Sequence, residues 1–147
     1  MRRFDETKIG VLLIAHGSRN PRANGDLFEL VERFRGRGFP ISEGSFLELA
    51  KPDVLEGGKN CVAHGAKVVI LLPYFLSAGI HVVEDLIELK GQLKDLYPSV
   101  DFHLAKPLGP HPLLETLLEF RLNELLDNQL LLTDSDKSKI VSSSSTV

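Results

Sequence analysis

Short apolar runs alternate with longer stretches of mixed character along the chain. The apolar runs predict β-strands over residues 9–15, 41–47, 67–72 and 100–105. Apolar residues at helical spacing predict helices over residues 20–36, 52–65, 81–96 and 112–126. Strand–helix alternation with short loops is typical of a parallel sheet with right-handed crossovers. The pattern therefore predicts one α/β domain, doubly wound, with a mainly parallel four-stranded sheet flanked by helices.

The first strand and the first helix carry clear local signals. The strand, Ile9 to Ala15, is apolar on both faces, as expected for a parallel strand covered by helices on both sides. Asn20 and Pro21 predict a helix start, with the asparagine as N-cap and the proline in the first turn. The helix over 52–65 is the weakest prediction, because Gly57 and Gly58 each cost about 1 kcal/mol against alanine in a helix interior.

The two ends of the chain differ in composition from the α/β domain, which we place at residues 9–127. Residues 1–8 are polar and predict a flexible N-terminus. Residues 128–147 form a tail that begins with an apolar patch and ends in a serine run at 142–145. That run is of low complexity and predicts disorder.

Composition argues against several classes of protein. Apolar residues make up 43% of the chain, and no apolar run approaches the roughly 18 to 20 residues of a membrane-spanning helix. The N-terminal segment lacks the apolar core of a secretory signal. A net charge of −3 gives no reason to expect nucleic acid as a partner. The single cysteine, Cys61, rules out an intrachain disulfide framework and favours a reducing cytoplasm.

Residues that can bind metal ions or transfer protons follow each predicted strand. His16 follows the first strand, Glu48 the second and His81 the third, while Lys106 and His111 follow the fourth. Because parallel strands all point the same way, these residues are expected to meet at one edge of the sheet. His111 lies at the correct edge but between prolines, and its role stays open.

Two imidazoles and a carboxylate suit two kinds of chemistry. Histidine and glutamate can bind a divalent first-row metal ion, and they also form a general acid–base set. Each of the three has a plain structural explanation as well: a strand-end hydrogen bond, an exposed loop acid or a helix-start residue. Their meeting at one edge favours the functional interpretation. His64 and His103 are expected to be structural, near a helix C-terminus and packed within the fourth strand.

The glycine-containing turn after His16 raises a rival hypothesis. Backbone N–H groups in such a loop before a helix can hold a phosphate group. The chain has neither the GxGxxG nor the GxxxxGK[ST] pattern, so a nucleotide site has little support. Histidine phosphatases carry an arginine directly before their strand-one histidine, and Ala15 occupies that position here. A histidine-dependent phosphatase is therefore the least favoured alternative.

Four segments in sequence resemble a known family. AHGSR follows the first predicted strand, FLELAKPD the second, LLPYFLSAGIHVVEDL the third and PLGPHPLLE the fourth. In this order they resemble the short sirohydrochlorin chelatases of the CbiX type, which belong to the class II tetrapyrrole chelatases. The resemblance covers about residues 9–126. AHGSR alone would be a weak signal, but its combination with PYFLSAGIH is specific.

The resemblance implies an enzyme that inserts a divalent metal ion into sirohydrochlorin without ATP. Fe²⁺ would give sirohaem, Co²⁺ would lead toward cobalamin and Ni²⁺ toward a methanogenic tetrapyrrole. His16 and His81 match the family's metal-binding and catalytic histidines, and Glu48 matches an acidic position at the site. The candidate residues for binding the polycarboxylate substrate are Arg19, Arg22, Phe75, Leu76, Ser77, Ala78, Gly79 and Lys106.

The resemblance also implies which cofactors and partners to expect. The divalent metal ion is a substrate, and no permanently bound cofactor is expected. Cys61 alone cannot build the iron–sulfur cluster that plant-type relatives can carry. Longer relatives hold two such domains in one chain, so a homodimer with the macrocycle between its subunits is implied here. A non-catalytic carrier of metal or tetrapyrrole, using the same histidines, is the main alternative.

Overall fold

The computed structural model describes residues 5–130, whose four strands form one parallel sheet. After a short 3₁₀ turn (Glu6–Lys8), the elements are β1 (Ile9–Ala15), α1 (Pro21–Gly36), β2 (Ile41–Phe46), α2 (Val54–Ala63), β3 (Val68–Pro73), α3 (Ile80–Leu96), β4 (Asp101–Leu104) and α4 (Pro112–Leu130). The strand order is β2-β1-β3-β4, and every neighbouring pair is parallel. The predicted doubly wound α/β fold is confirmed.

The predicted boundaries differ from the structure by a few residues at most where both can be compared. β4 is shorter than predicted, and α2 begins at Val54, after Asp53, whose carboxylate caps the helix by accepting from the N–H of Glu56. Asn20 caps α1 as predicted, since its side chain accepts from the N–H of Arg22. The predicted serine-rich disorder and residues 1–4 lie outside the described residues.

The chain divides into two compact units. The first ends at Gly109 and contains the sheet with α1 to α3, while the second begins at Pro110 and contains α4. None of the helices within residues 5–130 has the length and apolarity to cross a bilayer. The single-domain boundaries at 9–127 and the cytoplasmic location stay predictions.

β1 is one of the two inner strands of the sheet, and its side chains alternate between two apolar layers. Val11 and Leu13 pack with α1, and Leu12 and Ile14 pack with α2 and α3 on the opposite face. All four are buried, and each such side chain stabilises the fold by about 1.5–3 kcal/mol. The continuous apolar run of β1 thus reflects a strand covered on both faces.

Cys61 belongs to this core. Its side chain, on α2, is fully buried, and burial raises the pKa of its thiol to about 12, with a smaller contribution from the negative charge of Glu43. The same glutamate lies 3.6 Å from Arg35 and 3.4 Å from the imidazole of His64. His64 thus contacts Glu43 at the end of α2, and its structural role stays a prediction. The prediction for His103 is wrong, because its side chain is exposed on the edge strand β4.

The two glycines that weaken α2 as an isolated helix allow it to pack closely. A Cβ atom at Gly57 would lie 2.6 Å from Leu12 and 2.9 Å from the Cβ of Ser45, and one at Gly58 would lie 2.5 Å from Leu93. Both glycines are buried between α2 and its neighbours. Close approach of the helix to the sheet and to α3 therefore offsets the low helix propensity of these residues.

We expect Gly58→Ala to destabilise the fold by about 1–3 kcal/mol, because overpacking against Leu93 outweighs the gain in helix propensity. Gly25→Ala is the matched control, since Gly25 lies in α1 and a Cβ atom added there would have no heavy atom within 4 Å. It should stabilise the fold by up to about 1 kcal/mol. Urea unfolding of both variants measures the difference. Equal effects would contradict close packing at α2.

Candidate active site

The crevice for a ligand lies where the chain reverses its direction of travel across the sheet. α1 packs on one face as the chain passes from β1 to β2, and α2 and α3 pack on the other as it passes to β3 and β4. The loops that follow β1 and β3 consequently lead to opposite faces of the sheet, which leaves a crevice between the ends of these neighbouring strands. Ligands of open α/β sheets bind at such a point. His16 directly follows β1, and His81 lies in the first turn of α3, after β3.

Main-chain pairing holds His16 beside Glu48. The hydrogen bonds between β1 and β2 continue past the strand ends, since the N–H of Leu47 donates to Ala15 O and the N–H of Glu48 donates to His16 O, both at 3.0 Å. Gly17 permits this close approach. Its φ is +96°, and a Cβ atom there would lie 1.8 Å from the carbonyl oxygen of Glu48. Two of the predicted site residues are therefore brought together by the backbone itself.

His16 and Glu48 open into a cavity of about 390 Å³. Its walls are formed by His16, Leu47, Glu48, Val82, Asp85, Glu88, Leu89 and Gln92. One imidazole and three carboxylates thus face a common space, which attracts cations. Asp85 and Glu88 on α3 were not predicted from the sequence. The available signal was spacing: each of residues 82, 85, 88, 89 and 92 lies three or four positions from another, so they share one helix face.

The imidazole of His16 rests on Phe75. The two ring centroids are 4.6 Å apart, and the rings are inclined at 33°. Phe75 is buried, so its ring packs against the imidazole of His16 and is not accessible to a ligand. The neighbouring Leu76, Ser77 and Gly79 are exposed, and Ala78 is half-buried. The predicted binding loop is therefore divided between one supporting residue and several that face solvent.

His81 stands apart from this cavity. Its side chain is 93% exposed, its Nδ1 atom lies 3.9 Å from a carboxylate oxygen of Glu84, and it is not among the residues that form the cavity walls. Within residues 5–130 no set of three or more His, Cys, Asp or Glu side chains stands in a metal-binding arrangement. The structure thus joins His16 to Glu48 and leaves His81 at the start of α3.

The three predicted cations are all exposed but occupy different places. Lys106 borders a smaller cavity of about 180 Å³ between α3 and the ends of β3 and β4. Most of the side chains around it are apolar: Pro73, Ala78, Val83, Leu86, Leu104, Ala105 and Pro107. Arg22 borders a separate groove on α1 together with Asp26 and Glu29. Lys106 is therefore near the crevice, and Arg22 faces acids of its own helix.

The turn after β1 already uses several of its backbone donors. The N–H of Ser18 donates to the side chain of Asn24, that of Asn20 to the hydroxyl of Ser18, and that of Arg22 to the side chain of Asn20. A phosphate cradle needs such N–H groups to be free. The geometry of the turn therefore does not favour the phosphatase hypothesis.

His111 has a local structural partner. Its Nδ1 atom accepts a hydrogen bond of 3.0 Å from the N–H of Leu113, in the first turn of α4. The imidazole thus satisfies one of the unpaired N–H groups at a helix start. The geometry assigns His111 a capping contact in the second unit.

Comparison with known proteins points in one direction. The CbiX family model matches residues 10–125. The chloroplastic sirohydrochlorin ferrochelatase of Arabidopsis thaliana is 32% identical in an alignment that covers 92% of this chain and 64% of the plant protein. The sirohydrochlorin cobaltochelatase of Priestia megaterium is 34% identical, with 82% of this chain and 39% of the bacterial protein covered.

A solved structure shows the same architecture. The sirohydrochlorin chelatase SirB from Bacillus subtilis subspecies spizizenii, in complex with cobalt, aligns with a TM-score of 0.73 at 28% identity. The alignment covers 80% of this chain and 50% of SirB. This chain therefore spans from 39% to 64% of the length of the three proteins described here.

We expect Gly17→Ala to separate the effect of the close contact from the effect of backbone conformation. Gly65 has nearly the same φ, +97°, but no heavy atom within 4 Å of a Cβ position. Gly65→Ala should therefore lower the free energy of unfolding by about 1–2 kcal/mol through backbone strain alone. Gly17→Ala should lower the free energy of unfolding by about 1–3 kcal/mol more than Gly65→Ala does, because Glu48 must move. Thermal unfolding measures both, and equal losses would refute the close pairing of Gly17 with Glu48.

Proposed function

Because the chain belongs to the CbiX family, we propose that it inserts a divalent metal ion into sirohydrochlorin without ATP. The observation that carries the proposal is the His16–Glu48 pair, fixed by main-chain hydrogen bonds at the rim of an acidic cavity. An imidazole and a carboxylate that line one cavity suit metal delivery and proton removal together. The relatives named above supply the substrate, since all three are sirohydrochlorin chelatases by name.

The reaction exchanges one dication for two protons. The metal ion forms bonds to the four pyrrole nitrogens, and the two N–H bonds of the free macrocycle break. A ring nitrogen of His16 can bind the incoming ion or accept a departing proton. The carboxylates of Glu48, Asp85 and Glu88 raise the local concentration of cations and can pass protons to water. His81 is the second metal-binding and catalytic histidine of the proposal, approaching from α3.

The metal ion is a substrate that has to be released into the macrocycle. An incomplete ligand set suits this task, because a closed cage of protein ligands would retain the ion. The relatives' names include both iron and cobalt chelatases, and we propose Fe²⁺ or Co²⁺, with Ni²⁺ as a further candidate. Affinity alone does not select among first-row metals, so the supply of each ion in the cell sets the choice.

The macrocycle is flat and apolar at its centre and carries carboxylates at its edge. Exposed apolar side chains after β3, among them Tyr74, Leu76 and Ile80, offer contact to the ring. Lys106 and Arg19 are exposed near the same sheet edge and offer charge-assisted hydrogen bonds to the carboxylates. Apolar loop residues therefore contact the face of the substrate and the cations its rim.

We also propose that two copies of the chain enclose one macrocycle as a homodimer. The chain matches half of SirB and less than half of the Priestia megaterium cobaltochelatase. The acidic cavity of the first unit is partly open to solvent, and we place the macrocycle over its opening. A second copy would cover that side, which a single unit leaves exposed to water.

We expect His16→Ala and His81→Ala each to lower kcat/KM for metal insertion by about 10²- to 10⁴-fold, because each removes a metal ligand or base. The measurement is the absorption spectrum of sirohydrochlorin under anaerobic conditions after addition of Co²⁺ or Fe²⁺. His103→Ala is the matched control, since His103 is also exposed but lies on β4. It should react at the unsubstituted rate.

Two outcomes would contradict this proposal. If the unsubstituted chain leaves the spontaneous rate of insertion unchanged, the chain is not a chelatase under these conditions. If it also binds metal or sirohydrochlorin tightly, the carrier alternative gains support. Retention of activity in His81→Ala would instead remove that histidine from the mechanism.

We expect the purified chain to have a mass in solution twice that of the 16.3 kDa polypeptide. Light scattering coupled to gel filtration measures this directly, with and without sirohydrochlorin. If the chain is a monomer at protein concentrations where it is fully active, the dimer is contradicted and the chelatase proposal is unaffected.

A further inference from the structure

Leu49 has a backbone conformation that leucine rarely adopts. Its φ is +66°, and it is the only non-glycine residue with positive φ in the part of the chain that the structure describes. In this region a Cβ atom crowds the following carbonyl oxygen, so glycine or asparagine is the usual occupant. The leucine side chain gains little in return from packing, because 56% of it is exposed.

The surrounding chain prevents Leu49 from relaxing. On one side, Leu47 and Glu48 are hydrogen-bonded to the end of β1. On the other side, the N–H of Phe46 donates to Pro52 O at 2.9 Å, which closes the loop. The side chain of Leu47 packs into one apolar layer, and that of Ala50 into the other. The conformation of Leu49 thus follows from placing Glu48 beside His16.

Fold stability explains the conformation but not the choice of leucine. A glycine at position 49 would adopt this φ without strain, and an asparagine with less strain. An exposed leucine in this setting is therefore unfavourable for the protein in the absence of a ligand. Residues held in such conformations cluster where a ligand is bound. An apolar contact with a bound ligand would supply the missing benefit.

We propose that Leu49 is a positioning residue whose side chain packs against the apolar face of the tetrapyrrole, next to the His16–Glu48 cavity. This assignment rests on the proposed function. Glu48 and Leu49 are consecutive and both exposed, so one short segment presents a carboxylate to the cation and an apolar contact to the ring. Leu49 fixes the height of the macrocycle above Glu48 and takes no part in proton transfer.

The test compares three substitutions at position 49. Leu49→Gly and Leu49→Asn remove the apolar contact while accepting positive φ, so both should fold at least as stably as the unsubstituted chain. Both should bind metal-free sirohydrochlorin about tenfold or more weakly, as expected for loss of a buried leucine side chain. Leu49→Met keeps the apolar side chain and should bind within about threefold of the unsubstituted chain. In Leu49→Gly and Leu49→Asn, the weaker binding should raise KM for sirohydrochlorin more than it lowers kcat.

Leu96→Asn is the matched control, because Leu96 is 59% exposed at the far end of α3. It should bind sirohydrochlorin like the unsubstituted chain. Unchanged binding by both Leu49→Gly and Leu49→Asn would overturn the role of Leu49 and leave the chelatase proposal intact. Absence of any binding or turnover by the unsubstituted chain would overturn the proposed function itself, and the role of Leu49 with it.

Discussion

The site depends on the parallel pairing of β1 with β2 beyond the ends of the two strands. Two further main-chain hydrogen bonds place His16 and Glu48 side by side, and only a residue without a Cβ atom fits at Gly17. β1 is one of the two inner strands of the sheet, with both faces buried and both edges paired. A strand that is buried on both faces and paired at both edges thus carries the histidine to which the proposed mechanism assigns metal delivery.

The close fit at Gly17 also bears on the residues around it. The contact between Gly17 and Glu48 fixes the course of the loop after β2, and Leu49 takes positive φ as a result. Phe75 supports the His16 ring from the other side, and its own loop is tied down by a hydrogen bond from Leu108 N–H to Phe75 O. His16 is therefore positioned by backbone on one side and by an aromatic ring on the other, an arrangement that would need little reorganisation in the proposed metal delivery.

Local signals made much of the fold predictable, and tertiary contacts account for what was missed. The apolar run of β1 and the Asn20 cap of α1 depend on nearest neighbours, and both are found as expected. Gly57 looked like a defect in α2 because its fit against the sheet is invisible in the sequence. Nothing in the sequence marks β4 as an edge strand, so His103 was expected to be packed.

In the site, the common direction of parallel strands was enough to bring together the residues that follow β1 and β2. Asp85 was missed because a polar residue does not by itself indicate the helix face that it shares with apolar neighbours. The positive φ of Leu49 was missed because leucine carries no sequence signal for it.

The open form of the cavity is consistent with a reaction in which both the metal ion and the macrocycle must enter and leave. In the proposed reaction, the carboxylate-rich wall would attract the dication from water but hold it loosely, because exposed charges interact through a high dielectric. Covering the crevice with the macrocycle and a second subunit would exclude that water and strengthen each of these interactions. The metal ion would then be drawn in while the site is open and transferred once it is covered, with His16 at the boundary between the two states.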